Sequence, residues 1–533
     1  MLSSVAQLIP YSKTGMFKEL VLDYLEMKPE LRHVFEHDVS LKGITQAIES
    51  RENFKTDRSK LVNVLDSWYK ESSNIKQREN IQLLLSDKTF TVCTAHQPNI
   101  FTGYLYFVYK ILHIIKITEE LNQKIPDKHF VPVFFMGSED NDLEELGQIK
   151  VDGIKRTWQT NQNGSVGRML VDKGLIQIIN ELDGQLSVLP HGSALIEKLK
   201  DCYRIGENIA HATFRFINFL FAEYGLLVLI ADDARLKLSM IDFFKEDIIE
   251  HSPYNLVQET GKFLMDHYAM QVNPREINLF YLLDDIRERI VQKGDHFFIE
   301  KTSKQWTKDE LLAELEVHPD RFSPNVVLRA LYQEVILPNI AFVGGGAEVS
   351  YWLELKKMMH HFKVPYPVII LRNSFLITNK SLETTLKGLG FDVKDMFLDL
   401  HALMQKLIRN NAEFEVELSS EKIKLKELFH EVSMKNAGID KSLTQHVEAV
   451  QTRILKLMDN MEKKMLRAAK RKYADQQRQL EAVKGKMFPG NNLQERVDNI
   501  LFFYAQYGPQ IIQEIYRHTK SLNQEFCIIT LDQ

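Results

Sequence analysis

The stretch Val343-Gly344-Gly345-Gly346-Ala347-Glu348-Val349-Ser350-Tyr351-Trp352 decides the fold of this 533-residue chain. Apolar residues from Ile340 to Val343 read as a buried strand. Three glycines then allow a tight turn and close approach of a ligand to the backbone. Trp352, Leu355 and Met359 follow at helical spacing. Strand, glycine turn and helix N-terminus together form a ligand cradle. Glu348 falls in the first helical turn, where it suits the helix dipole but opposes an incoming phosphate. The mouth is therefore read as built for an amine or a hydroxyl more than for a nucleotide phosphate.

Working outward, the same grammar recurs. Thr89–Thr94 runs into Ala95-His96-Gln97-Pro98-Asn99 and then a helix with Leu105, Val108, Leu112 and Ile115 on one face. Phe130–Met136 runs into Gly137-Ser138-Glu139-Asp140-Asn141-Asp142, with a helix expected from Leu143. Leu226–Ile230 runs into Ala231-Asp232-Asp233, with a helix expected from Ala234 to about Glu250. A further strand, Tyr366–Leu371, ends in Arg372-Asn373-Ser374-Phe375. Continuously apolar strands alternating with helices predict an α/β fold with a parallel sheet covered on both faces. Right-handed crossovers would then gather the polar turns at one sheet edge. The predicted consequence is convergence of His96, Asp140, Asp142, Asp232 and Glu348.

Between Gly153 and Leu220, and from Glu250 to Pro324, the pattern is mixed and mostly helical, as expected of insertions. The first 80 residues also read as helices. From about Asp399 glycine is scarce, and Leu443, Val447, Val450, Ile454, Leu457 and Met461 alternate in steps of four and three. That heptad predicts an α-helical coiled coil, either between chains or folded back on Leu418–Val432. Phe488-Pro489-Gly490 breaks it, and a last helix is expected from Leu493 to about Tyr507. The predicted organisation is 1–152 (N-terminal helices and first half of the core), 153–324 (core continuation with helical insertions), 325–397 (second half of the core), 398–487 (coiled coil) and 488–533 (a return segment packing on the core).

Composition narrows the function. A net charge of -5 and a pI near 6.4 imply no general attraction to nucleic acid or an anionic membrane. The apolar runs are too short to span a bilayer, and the first 18 residues do not read as a signal peptide. Cys93, Cys202 and Cys527 are isolated, with no C-x-x-C pair. They argue for a reducing cytoplasm and against a thiolate metal site.

The turn Ser138–Glu145 holds five acids from Glu139 onward. Capping explains one or two of them. The rest are expected to bind an amine, accept its proton, or hold a magnesium ion. His96, Gln97 and Asn99 leave a strand directly into a turn, which suits ligand contact. Lys110 reads as part of a solvated helix face, and Cys93 as core packing. The glycine turn is neither a Walker A loop nor the dinucleotide fingerprint, since Val349 stands where a third glycine belongs.

These segments together resemble one family, the bacillithiol biosynthesis cysteine-adding enzymes (the BshC cysteine ligases). The resemblance rests on Ala95-His96-Gln97-Pro98 with Thr102-Gly103, Ser138-Glu139-Asp140-Asn141-Asp142, and Arg321-Phe322-Ser323-Pro324-Asn325-Val326. It rests also on Leu337-Pro338-Asn339, Gly345-Gly346-Ala347-Glu348 with Tyr351, Leu371-Arg372-Asn373-Ser374-Phe375, and Phe488-Pro489 with Leu493-Gln494-Glu495-Arg496. It implies a Rossmann-like core with helical connecting insertions and a homodimer through the coiled coil. It also implies amide formation between cysteine and glucosaminyl malate, with ATP activating the carboxylate. Asp140, Glu348 and His96 are then the expected catalytic residues. Gln97, Asn99, Ser138, Glu139, Asp142, Asp232, Gly345, Gly346 and Tyr351 are the expected substrate contacts. An ADP-binding crevice of the family maps onto Arg372, Ser374, Phe375, Phe488, Leu493, Gln494, Arg496 and Asn499. Many relatives carry a histidine in the acidic turn; this chain has Asn141, so proton transfer by that histidine is not carried over. Two rival readings are a nucleotidyltransferase-type enzyme that stops at an activated intermediate, and a non-catalytic coiled-coil assembly protein.

Overall fold

The computed structural model describes residues 2–411, 418–437, 440 and 443–532. The chain divides into two compact units, Met1–Leu376 with Leu493–Ile529, and Ile377–Asn492 with Thr530–Gln533. Five parallel strands form the core sheet of the first unit. They are β1 (Thr89–His96), β2 (His129–Met136), β3 (Leu227–Ile230), β4 (Asn339–Gly344) and β5 (Val368–Leu371), in the spatial order β5-β4-β1-β2-β3. Their β-branched and aromatic residues are buried on both faces, as at Val131, Val133, Phe134 and Phe135, which explains the unbroken apolar runs. Helix α1 (Leu105–Lys124) carries the chain from β1 to β2; α2 (Val326–Ile336) precedes β4, and α3 (Gly346–His361) joins β4 to β5.

Strand order reverses direction between β1 and β4, which is where an open α/β sheet leaves a crevice outside its carboxyl ends. Register is continuous from Thr89↔His129 to His96↔Met136. It slips once between β4 and β1, at Asn339/Ala341. The Thr94 hydroxyl donates to the Val343 carbonyl at 2.6 Å, tying the two strand ends beside the crevice.

Three connections differ from expectation. No long helix starts at Leu143: a short turn, Leu143–Leu146, leads into the hairpin Gln148–Val151/Ile154–Thr157. Asp152 and Gly153 both take positive φ, 46° and 79°, so this Asp-Gly pair closes a two-residue hairpin loop. The helix expected from Ala234 to Glu250 is instead Ala234–Lys237, a 3-10 turn, and Ile241–Ile249. The second insertion holds helix Ser252–Met265 and then a five-stranded antiparallel sheet, in the order Gln305–Thr307, His296–Ile299, Arg287–Lys293, Leu279–Leu282, Phe322–Pro324. These strands are short and half polar, so they lack the continuous apolar signal of the core strands. Near the N-terminus, Ser4–Pro10 is a strand rather than helix.

In the second unit, α4 (Ser419–Ala437) packs against α5 (Leu443–Lys472), so the coiled coil folds back within the chain. Lys422 on α4 pairs with Asp459 and Glu462 on α5. Val447 is buried, but Leu457 and Met461 of the same heptad are 59% and 56% exposed, so one intrachain partner does not cover the whole seam. No helix among the described residues is long and apolar enough to cross a membrane.

Candidate functional site

A cavity of about 480 Å³ opens at the carboxyl ends of β1 and β4, at the point where strand order reverses. His96 and Gln97 follow from β1. Gly345, Gly346 and Glu348 follow from β4, and Tyr351 lies one turn further along α3. Gly344 must be glycine, because a Cβ there would stand 2.8 Å from both the Glu348 Cβ and the Phe342 ring. The turn thereby brings Glu348 against the strand end. Its Oε2 accepts from the Gly345 N–H at 2.8 Å and also pairs with the Lys110 ammonium. Both donors use one oxygen. Oε1 has no hydrogen-bond partner among the described residues, and the side chain is 20% exposed at the cavity wall.

Lys110 corrects its reading as a solvated side chain. It is 2% exposed, donates to the Ala95 carbonyl at 3.0 Å and lines the cavity. Burial lowers its pKa, and Glu348 opposes that shift. The available signal was a cation flanked by apolar residues around a whole helix, as at Val108, Tyr109, Ile111 and Leu112. Tyr106 lies one turn before Lys110 and also lines the cavity, with its ring 5.3 Å from His96 and 5.5 Å from the Arg372 guanidinium. Burial, reinforced by Lys110 and Arg329, pushes the His96 imidazole well below its ordinary pKa, so it is neutral at neutral pH.

Of the acids at the other strand ends only Glu145 lines this hollow; Asp140, Asp142 and Asp232 do not, which corrects the expected convergence. Asp140 stands behind Gln97, whose side-chain amide donates to it at 3.0 Å, and it lies 3.6 Å from Arg287 and 3.8 Å from Arg329. Burial alone would raise the Asp140 carboxyl, but these two guanidinium groups and the Gln97 and Asn141 donors hold it below its ordinary value. Glu139 is buried against Lys237. Asp232 takes two bonds from Arg168, at 2.6 and 2.9 Å, with Lys237 at 3.5 Å. Asp142 caps the turn at Leu143, its carboxylate accepting from the Glu145 N–H. Ser138 is buried, its hydroxyl accepting from the Asp232 N–H at 3.3 Å. Asn99 is buried and does not line the cavity.

This acidic turn is held from an insertion. Ser165 and Gly167 both donate to the Ser138 carbonyl, at 2.6 and 3.1 Å. A Cβ at Gly167 would lie 2.1 Å from that same oxygen. Such a cross-chain clamp has no local sequence signature.

The residues mapped to a nucleotide crevice are divided. Arg372 and Arg496 line the core cavity. Arg372 is buried, pairs with Glu495 at 2.7 Å and donates to the Ser374 hydroxyl at 3.2 Å. Its Nε is buried without a partner among the described residues, and lies 3.6 Å from where a Cβ on Gly345 would be. Phe375 packs on Tyr109, and its N–H donates to Glu495. Leu493 and Gln494 are buried. Asn499 caps helix Ile500–Tyr507 and donates to the carbonyls of Phe101 and Gly103. Phe488 belongs to the second unit, 5.0 Å from Phe397 between ring centroids.

The cavity is therefore rimmed mainly by cations. Besides Lys110, Arg372 and Arg496 these are Arg275, Arg289 and Arg329. The expectation of a mouth suited to an amine more than to phosphate is corrected in this respect: two carboxylates, Glu348 and Glu145, sit among six cations in the wall. Among the described residues no group of three or more His, Cys, Asp or Glu side chains is placed to hold a metal ion. All three cysteines are buried and free.

The wall carrying Arg275 is set by a buried amide relay. The Asp247 carboxylate accepts from the Asn278 N–H at 2.6 Å and its side-chain amide at 2.9 Å. Asn278 also receives the Asn325 amide at 2.8 Å and donates to the Arg275 carbonyl at 2.8 Å. Burial pushes Asp247 up to about 7 from 3.8. The folded state then binds this proton more tightly than the unfolded state, so stability declines as pH rises from about 4 to 7. Thermal unfolding midpoints of Asp247→Asn are expected to fall less steeply over that window than those of the parent protein. Parallel pH curves for the two proteins would refute the assignment.

Residues 5–373 match the profile of the bacillithiol biosynthesis BshC N-terminal Rossmann-like domain, and residues 375–531 that of the BshC C-terminal coiled-coil domain. A protein of Flavobacterium johnsoniae named "Putative cysteine ligase BshC" is 39% identical over 528 residues, covering 98% of this chain and 99% of its own. Proteins of the same name from Christiangramia forsetii and Cytophaga hutchinsonii are 36% and 34% identical, covering 98% and 94% of this chain and the same shares of their own.

Proposed function

The chain belongs to the BshC family of bacillithiol biosynthesis, and on that premise we propose that it is an amide-forming cysteine ligase. Its substrates are cysteine and the amine of glucosaminyl malate. The observation that carries the reading is Glu348, a carboxylate with one oxygen held by Lys110 and Gly345 and the other unpartnered, within a basic cavity at the sheet's reversal point.

The chemistry follows from charge. A cysteine carboxylate is a poor electrophile, and ATP activates it as an acyl-adenylate or acyl-phosphate. Glu348 Oε1 then accepts a proton as the amine attacks the acyl carbon. The C–N bond forms, the acyl–oxygen bond breaks, and AMP or phosphate departs. Lys110 holds Glu348 in position. Neutral His96 and the Gln97 amide orient the acyl group or its developing oxyanion. Asp140, tied to two arginines that hold it below its ordinary value, fixes Gln97. The unpartnered Nε of Arg372 and the side chain of Arg496 fit an anionic phosphate, with magnesium arriving on the nucleotide. The exposed Leu457 and Met461 of the heptad support a homodimer through the coiled coil.

Incubation of purified protein with ATP, magnesium, cysteine and glucosaminyl malate is expected to yield bacillithiol and AMP or ADP. Nucleotide turnover without the amide would favour the intermediate-forming reading instead.

A further inference from the structure

The five-stranded antiparallel sheet, which the function above leaves unused, reaches the cavity through Arg289, and the loop before it through Gln271, Val272, Asn273 and Arg275. Beyond these residues lies a second cavity of about 620 Å³. The two share Asn273, Arg275 and Arg289 as common wall. The pairing of these arginines differs from that of their neighbour Arg287. Arg287 and Arg289 lie two apart on one strand, hence on one face, and both guanidinium groups sit over the Phe280 ring, at 4.0 and 5.3 Å. Arg287 is consumed by Asp140, Asn141, Ser323 and the Pro324 carbonyl. Arg289 has no carboxylate within ion-pair distance among the described residues, and neither has Arg275. The Asp247–Asn278–Asn325 relay nevertheless fixes the Arg275 backbone. Arg289 on a strand and Arg275 in a loop whose backbone the relay holds, both without counter-ions at the junction of two cavities, suit an anion with more than one charged group.

We propose that Arg275 and Arg289 form the subsite for the dicarboxylate end of the amine substrate, so that the substrate spans from Glu348 to the junction with the second cavity. This rests on the ligase reading above. The amine then faces Glu348, and the acids face the unpaired guanidinium groups of Arg275 and Arg289. A nucleotide phosphate offers similar oxygen chemistry, and the test separates the two.

Binding of glucosaminyl malate and of methyl glucosaminide, the same amine without the acid, would be measured by calorimetry on the full chain and its Arg275→Ala, Arg289→Ala and double variants. Steady-state KM for each substrate would be measured alongside. Each substitution is expected to weaken glucosaminyl malate binding by about 10- to 100-fold, the effect of losing a charge-assisted contact. KM for that substrate should rise in step, while methyl glucosaminide binding and the KM values for ATP and cysteine stay unchanged. Arg275→Lys and Arg289→Lys should restore only part of the loss, because lysine keeps the charge but not the fork. Unchanged affinity, an equal loss for both sugars, or a rise confined to the KM for ATP would overturn the subsite. Should no protein form the amide, the ligase reading falls, and the calorimetry still decides the subsite.

Discussion

Replacing Glu348 with glutamine is expected to slow amide formation by roughly 10²- to 10⁴-fold, the usual contribution of a positioned general base. The substitution is informative because glutamine preserves the local structure. A Gln at this position can still accept the Gly345 N–H, as the third residue of a capping box does. The ability to take a proton is lost, as is the ion pair to Lys110. Lys110 is then buried without its counter-ion, so Lys110→Met on the Glu348→Gln background should recover thermal stability without recovering turnover. Asp140→Asn is expected to cost less, because that carboxyl is already engaged by Gln97, Arg287 and Arg329 and acts through the position of Gln97. Product formation measured by mass over time would decide between them. Full turnover in Glu348→Gln would remove Glu348 from the chemistry.

The second large effect is expected on stability. Glu495 is fully buried and accepts from the Arg372 guanidinium at 2.7 Å and from the Phe375 N–H at 3.2 Å. Truncation to alanine leaves the Arg372 charge buried and unpaired, which typically costs about 3–5 kcal/mol. The pair also joins the end of β5 to the segment that carries Arg496 into the cavity wall. Glu495→Ala should therefore lower the unfolding midpoint and weaken nucleotide binding together, whereas Arg372→Met with Glu495→Leu should recover the midpoint alone. An unaltered midpoint in Glu495→Ala would show that the buried pair contributes nothing net.

Much of the fold was legible because its signals are local. The core strands announce themselves as apolar runs, and the heptad from Leu443 to Met461 announces a long helix. The site was legible only in part. His96, Gln97, Glu348 and Tyr351 stand where strand ends and the glycine turn lead. Glu139 and Asp232 also follow strand ends but lie outside the cavity lining, paired with Lys237 and Arg168. Lys110 was misread because helical periodicity alone cannot say whether a lysine in an apolar helix faces water or a crevice. The antiparallel sheet from Leu279 to Pro324 escaped because short, half-exposed strands carry little hydrophobic contrast.

Sequence by itself determined which segments must be buried and which turns must be tight, since burial and backbone freedom follow from residue type and spacing. Tertiary structure alone decided the sign of the cavity's charge. A carboxylate's role depends on whether a distant lysine or arginine is brought within a few ångströms of it, and that distance is set by packing between elements far apart in the chain.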